Sequence, residues 1–190
     1  MIKLTRPQCP NPTALANNNY KHPDNKIALR ESTAGKCMYC ESKIEHNSSA
    51  HIEHIKPKSK YSHLEFEWNN LGYSCPKCNT NKSNKFDENL SFINPYDENP
   101  EEHIYFSEYF AFMKNDSNRG KYTIKELDLN RAGLIERRKD KYDKIIQMIE
   151  IASNTPSWHV QITTDLRNDA GKDKEYSAMV KCLLTIKGIM

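Results

Sequence analysis

Two C-x-x-C pairs constrain this chain more than any other feature of its sequence. Cys37 and Cys40 form the first pair, Cys75 and Cys78 form the second, and 34 residues separate Cys40 from Cys75. A gap of two residues lets both sulfurs of a pair reach one ion at about 2.3 Å. The four thiolates therefore predict a closed, structural zinc site at the base of a long loop. A redox pair is the alternative, but such motifs act singly in a thioredoxin-like pattern that the sequence lacks.

The composition fits one ordinary core in a reducing compartment. The chain has 190 residues, of which 37% are hydrophobic, and this suits a single domain with a small appendage. No apolar stretch approaches the roughly 20 residues that cross a bilayer, and no secretory signal is visible. We therefore expect a cytoplasmic protein with no membrane association. In that compartment cysteines favour metal over disulfides, and we interpret Cys9 and Cys182 as ordinary small side chains.

Positive charge is concentrated around the loop that the cysteines enclose. The net charge of +3 is too small to indicate nucleic-acid binding by itself. Between residues 36 and 85, however, eight lysines face five glutamates, so this segment holds the whole excess. Solubility would explain the lysines if the cysteines and histidines were absent. We expect Lys36, Lys43 and Lys77 to offset the negative charge of a zinc ion bound by four thiolates.

Local patterns predict an α+β fold in three parts. An N-terminal arm with a short helix would occupy residues 1–36. A small ββα core with the zinc site would occupy residues 37–90. A turn-rich stretch at 94–100 leads into the third part, residues 91–190, which would contain a β-hairpin and C-terminal amphipathic helices.

The elements of these parts follow from breakers and periodicity. In the core, 51–55 and 71–74 read as strands, and the segment 77–85 after a proline reads as a short helix. In the third part we place the hairpin turn at 115–120, between aromatic strands. Two amphipathic helices would follow, at 130–152 and 176–184.

Side chains for phosphodiester hydrolysis lie inside the loop. This reaction needs a base for water, a cation at the leaving oxygen and positive charge near the phosphate. His54 is a base near neutral pH, and the Glu53 carboxylate can hold a hard divalent cation. Lysines bind phosphate as point charges.

The order and spacing of these residues resemble the HNH endonuclease family in its cysteine-clamped form. The matching motifs are Glu-His-Ile-x-Pro-x-Ser, then Asn-Asn-Leu, then Cys-x-x-Cys-Asn-x-x-Lys, which together span roughly residues 37–86. The resemblance implies a ββα-metal core that hydrolyses nucleic-acid phosphodiester bonds. It implies that His54 is the general base and that Glu53 is the first metal ligand. Asn70 would steady the hairpin and the histidine, with Asn69 as the alternative, and Asn79 would be the second metal ligand.

The resemblance also implies the remaining roles at the site. Substrate phosphate would be bound by Lys56, Lys58 and Lys82. An oxygen-only site of Glu53 and Asn79 should prefer magnesium or manganese over zinc. Ser83 stands where some members have a third ligand, and His51 is either a further ligand or a hydrogen-bonding side chain. We interpret His46 and His63 as surface residues.

Further features resemble a narrower family, PtuB, the HNH effectors of Septu-type and retron-linked anti-phage systems. These features are the opening Met-Ile-Lys-Leu, Trp-Asn-Asn-Leu at 68–71, Ile-Asn-Pro at 93–95 and Leu-Asn-Arg at 129–131. The resemblance implies a nuclease that works with PtuA, an ABC/SMC-like ATPase, or with a retron reverse transcriptase complex. The N-terminal arm and the C-terminal helices would then present a docking surface, or would close the protein's own core.

Two other functions stay open at this point. The first is an autonomous restriction-type HNH nuclease, although the chain has little room for a separate sequence-reading domain. The second is a non-catalytic zinc-ribbon module that binds nucleic acid, in which Glu53 and His54 would be structural residues.

Overall fold

The computed structural model describes residues 1–44 and 50–190, so His46 lies outside the described residues. The strands are β1 (His51–His54), β2 (Leu71–Ser74), β3 (Ile104–Ser107) and β4 (Phe110–Met113). The helices are α1 (Pro12–Ala16), α2 (Pro23–Ser32), α3 (Pro76–Lys82), α4 (Asn118–Glu126), α5 (Ala132–Asn154), α6 (His159–Asp169) and α7 (Ser177–Ile186). The α+β fold predicted from the sequence is confirmed.

The β1–β2 hairpin and α3 form a ββα unit in the predicted order. The two strands are antiparallel, with His51 opposite Ser74 and His54 opposite Leu71. A proline at the first position of α3 suits a helix start, because that position has no hydrogen bond to lose. Cys75 caps the same helix, since its Sγ accepts a hydrogen bond from the Cys78 amide at 3.4 Å. The helix therefore begins at the second cysteine pair.

The first cysteine pair packs directly onto β2. The Met38 amide donates to the Tyr73 carbonyl at 3.0 Å. At Gly72, a Cβ atom would lie only 2.3 Å from the Met38 sulfur. Glycine at this position therefore allows the close approach of the cysteine knuckle to the sheet.

The N-terminal arm lies along the ββα unit. Arg6 Nη1 donates to the carbonyls of Trp68 and Leu71 at 3.0 and 2.8 Å, and the Trp68 indole donates to the Pro7 carbonyl at 2.8 Å. The Leu4 amide donates to the Pro95 carbonyl at 2.8 Å. These bonds fix the path of the arm and bring the loop between α1 and α2 over the hairpin.

The second hairpin is present, but its predicted turn position is wrong. Strands β3 and β4 are joined at Glu108 and Tyr109, and Glu108 has a φ of 51°. The segment around 122–124, expected to be a strand, lies in α4. Ser117 explains the difference, because its side chain accepts a hydrogen bond from the Gly120 amide at 3.0 Å and so starts a helix there.

The C-terminal region contains two helices, α4 and α6, beyond the two that were predicted. The predicted stripe of α5 is buried at Leu134, Arg138, Ile145 and Ala152. Between α5 and α7, α6 buries only Ile162 and Leu166, so its apolar periodicity is weak. Among the described residues, no helix is long and apolar enough to cross a membrane.

Candidate active site

The four cysteines that the sequence singled out are brought together. Their sulfur atoms all lie within 4.8 Å of one another, and Cys40 Sγ lies 3.9 Å from Cys75 Sγ. Tetrahedral zinc with Zn–S bonds of about 2.3 Å requires sulfur–sulfur distances of about 3.8 Å. The donor set and its spacing therefore fit a structural zinc ion.

The positive charge beside the thiolates comes from a residue that the sequence analysis did not identify. Arg131, at the start of α5, places Nη2 3.8 Å from Cys78 Sγ. Burial alone would lower the pKa of Arg131, but the thiolates of Cys78 and Cys40 raise it above its ordinary value. Lys36, expected to serve here, is instead buried against the Lys174 carbonyl at 2.8 Å and Glu41 at 3.8 Å. Sequence spacing gives no signal for Arg131.

His54 is oriented by a backbone carbonyl. Its Nε2 atom lies 3.0 Å from the Glu65 carbonyl oxygen, which can only accept a hydrogen bond. Nε2 therefore carries the ring proton of the neutral side chain, and Nδ1 carries the free lone pair. Partial burial lowers the pKa of His54 below its ordinary value. The uncharged form that can accept a proton is thus favoured near neutral pH.

The Tyr20 ring packs edge-to-face against the His54 ring, a contact that was not predicted from the sequence. The two ring centroids are 4.7 Å apart, and the planes meet at 76°. The Tyr20 hydroxyl accepts a hydrogen bond from Lys58 Nζ at 3.4 Å, and Lys58 also pairs with Glu65 at 2.6 Å. One tyrosine in a polar arm carries no sequence signal for this position.

Glu53 and Lys82 form a buried pair directly behind His54. Lys82 Nζ lies 2.7 Å from Glu53 Oε1 and donates to the His54 carbonyl at 2.7 Å. The two side chains are only 2% and 1% exposed. Burial raises the pKa of Glu53 to about 7, against the opposing effect of Lys82. Lys82 is therefore engaged by protein atoms, although it was assigned to substrate phosphate from the sequence.

Two adjoining clefts share His54, Lys58 and Asn79. The smaller, of about 280 Å³, is also lined by Glu53 and Ser83. The larger, of about 410 Å³, has further lining residues from the N-terminal region and from β1, which are Tyr20, Lys21, Lys26, His51 and Ile52. The structure therefore brings the predicted base and both predicted metal ligands to one place, because β1 ends at His54 and the chain turns there.

Asn79 and Ser83 lie one helical turn apart on and just after α3. The side-chain nitrogen of Asn79 lies 2.9 Å from His51 Nδ1. An amide that donates through nitrogen keeps its oxygen as an acceptor or ligand atom. Ser83 ends the helix with φ 47° and ψ −129°, a conformation that is costly for a residue with a Cβ atom. Carboxylate, amide and hydroxyl oxygens around one cleft suit a hard divalent cation.

Lys56 points away from these clefts. Its ammonium group lies over the rings of Tyr61 and Phe86, at 5.2 and 5.6 Å from their centroids. Lys58, in contrast, lines both clefts and is 46% exposed. Of the three lysines assigned to phosphate from the sequence, Lys58 is the one whose position suits that contact.

Asn70 fastens both ends of the loop that follows β1. Its Oδ1 accepts from the Lys56 amide at 2.7 Å, and its Nδ2 donates to the carbonyls of Lys56 and Leu64, both at 3.0 Å. The side chain is buried. The same loop carries the Glu65 carbonyl that orients His54, so Asn70 holds the base in place indirectly.

We expect Asn70→Ala to destabilise the protein by about 2–4 kcal/mol, because it leaves a buried amide and two carbonyls without partners. Chemical denaturation measures the change in free energy of unfolding. Asn69→Ala is the matched control, since the Asn69 side chain is exposed and should change stability by less than about 0.5 kcal/mol. Equal losses in the two variants would contradict the bracing role of Asn70.

Comparison with known proteins agrees with this site. Residues 37–85 match the family model described as HNH endonuclease. The chain is 29% identical over 212 residues to Septu protein PtuB of Bacillus thuringiensis, covering 97% of this chain and 82% of that protein. It is 28% identical over 202 residues to Septu protein PtuB of Bacillus mycoides (strain KBAB4), covering 88% of this chain and 67% of that protein. The resemblance predicted from the sequence is confirmed: residues 37–85 match the HNH endonuclease model, and the chain is similar along most of its length to Septu protein PtuB.

Proposed function

We propose that this protein is a metal-dependent nuclease effector of a Septu-type anti-phage defence system. The observation that carries the proposal is the shared cleft lined by Glu53, His54 and Asn79, on a hairpin clamped by four cysteines. The two relatives described above are both Septu proteins, and their similarity covers most of the chain. A non-catalytic zinc ribbon would have no need of a histidine oriented this way beside a carboxylate.

In the proposed reaction, His54 Nδ1 removes a proton from the attacking water, while the Glu65 carbonyl holds the opposite ring nitrogen. Glu53 and Asn79, with Ser83, would hold magnesium or manganese, which supplies Lewis-acid stabilisation of the phosphate and of the departing oxygen. Lys82 keeps the Glu53 carboxylate in place by a buried ion pair. Lys58 contributes positive charge at the cleft.

We further propose that the protein acts together with a PtuA-like ABC/SMC-type ATPase. Both relatives are Septu proteins, which supports a Septu system. A retron reverse transcriptase complex is implied only by the family resemblance, so the ATPase is the partner to test first.

The test is a cleavage assay on the purified chain, alone and with the ATPase encoded beside its gene. Double-stranded DNA, single-stranded DNA and RNA are each incubated with magnesium or manganese, and with a chelator as control. We expect cleavage by the complex that stops when the divalent ion is removed. Equal cleavage by the chain alone would favour the autonomous nuclease. Inactivity of both preparations on every substrate would contradict the proposal.

A further inference from the structure

We propose that a third cleft, which lies beside the zinc site and is called the basic cleft below, binds the phosphate backbone of the substrate strand. This inference rests on the proposed nuclease function and extends its substrate-binding surface. The cleft has a volume of about 560 Å³ and lies between the two cysteine pairs and the start of α5. Among the described residues, its charged lining side chains are four cations and one carboxylate, namely Lys43, Lys77, Arg131, Arg137 and Glu136.

Within the described residues, three of these cations form no side-chain ion pair. Lys43, Lys77 and Arg137 are exposed, and within the described part of the chain none of them forms an ion pair. Arg131 differs, because it already contacts Cys78 Sγ and the Asp128 carbonyl. Three free cations around one concave surface, against a single carboxylate, form a site that favours a polyanion.

The start of α5 adds to this positive potential. The helix has 23 residues and no acidic side chain in its first turn, and its N-terminal amides receive no side-chain cap. Gly133 lines the cleft, and a Cβ atom there would meet nothing within 4 Å. Packing therefore does not explain this glycine, and the adjacent backbone is open to a ligand. A long helix directs partial positive charge toward its N-terminus.

Helix α3 lies between the basic cleft and the smaller of the two clefts around His54, which is called the reaction cleft below. Lys77 lines the basic cleft, and Asn79, two residues later, lines the reaction cleft. Two residues correspond to about 200° around an α-helix, so the clefts flank opposite sides of an element about 10–12 Å across. At a rise of about 3.4 Å per nucleotide, three to four nucleotides span that distance. One strand can therefore contact both clefts.

A second explanation assigns these cations to the zinc ion, because four thiolates and one Zn²⁺ carry a net negative charge. Arg131 fits that explanation through its contact with Cys78. If the cations bind phosphate, a charge reversal should lower nucleic-acid affinity. If they balance the charge of the zinc site, a charge reversal should lower zinc retention.

The experiment compares Lys77→Glu/Arg137→Glu with Lys121→Glu/Lys125→Glu, a control with the same charge change at exposed positions of α4. Both pairs are made in a His54→Ala background, alone and in complex with the ATPase, so that the substrate stays intact. Binding of fluorescent single-stranded and double-stranded DNA and of RNA is measured between 50 and 200 mM salt. We expect the first pair to lose at least about tenfold in affinity and to flatten the slope of log affinity against log salt by about 2. Zinc per chain should not change.

An unchanged salt slope relative to the control, or the absence of binding by the parent protein, would overturn the inference. Loss of zinc together with affinity would assign the cations to the metal site. Cleavage by the same charge variants with His54 restored separates this inference from the proposed function. If the parent cleaves and the charge variant binds and cleaves equally well, only the basic cleft is rejected. If the charge variant loses affinity but no protein cleaves, only the nuclease proposal is rejected.

Discussion

We expect the replacement of His54 by alanine to lower the cleavage rate about 10²–10⁴-fold, the usual contribution of a positioned general base. The reason is the orientation of the ring: Nε2 donates to the Glu65 carbonyl, which leaves Nδ1 free to accept a proton. The side chain is only partly buried, so its removal should leave the fold intact. Single-turnover cleavage with manganese or magnesium measures the effect on the chemical step.

His63→Ala is the matched control for His54→Ala. His63 lies in the loop that follows β1, but it is exposed and does not line the two clefts around His54. We expect the control to keep the parent rate, and both variants to keep the parent melting temperature and zinc content. A His54→Ala protein that cleaves as fast as the His63→Ala protein would refute the assignment of His54 as the base.

We expect the replacement of Cys78 by serine to unfold the nuclease core. The four sulfurs lie within 4.8 Å of one another. The Met38 amide joins the first cysteine pair to β2, and Cys75 of the second pair caps the start of α3. Structural zinc in small domains contributes roughly 10–16 kcal/mol, which is as large as the whole stability of a typical protein, about 5–15 kcal/mol. The core therefore has little stability to replace a lost zinc ion.

The measurement is zinc per chain by elemental analysis together with the melting temperature. We expect about one zinc in the parent, none in Cys78→Ser, and loss of the cooperative transition of the core. Cys182→Ser is the control, because Cys182 is not part of the cluster, and this variant should retain both zinc and melting temperature. A Cys78→Ser protein that binds zinc and melts like the parent would contradict a structural role for the ion.

Features encoded by short-range patterns could be predicted from the sequence. The zinc cysteines follow from the C-x-x-C spacing, and α3 follows from a proline directly after Cys75. Strand β2 occupies the predicted 71–74, and β1 ends one residue before the predicted 55. The order of the motifs was sufficient to predict that His54, Glu53 and Asn79 lie close together, and they line one cleft.

Features that depend on long-range contacts could not be predicted. Arg131 lies 53 residues from Cys78, which it contacts, and Tyr20 reaches His54 from the N-terminal arm. The pairing of Lys82 with Glu53 depends on how far α3 is buried against β1. The prediction of the hairpin turn failed for a local reason. Polar residues at 115–117 suit both a turn and a helix cap, and the Ser117 hydroxyl forms the cap.

Contacts between residues 37–85 and the regions on either side determine which fragments of this enzyme can fold. A fragment with the borders of the family match, 37–85, would lose the arginine that binds the Trp68 and Leu71 carbonyls and the tyrosine over the His54 ring. It would also lose the guanidinium beside Cys78 and the Leu127 carbonyl that accepts from Asn81. Chimeras and truncations designed around the matched segment alone should therefore fail to fold as autonomous units, and a transplant must carry sequence from both flanks.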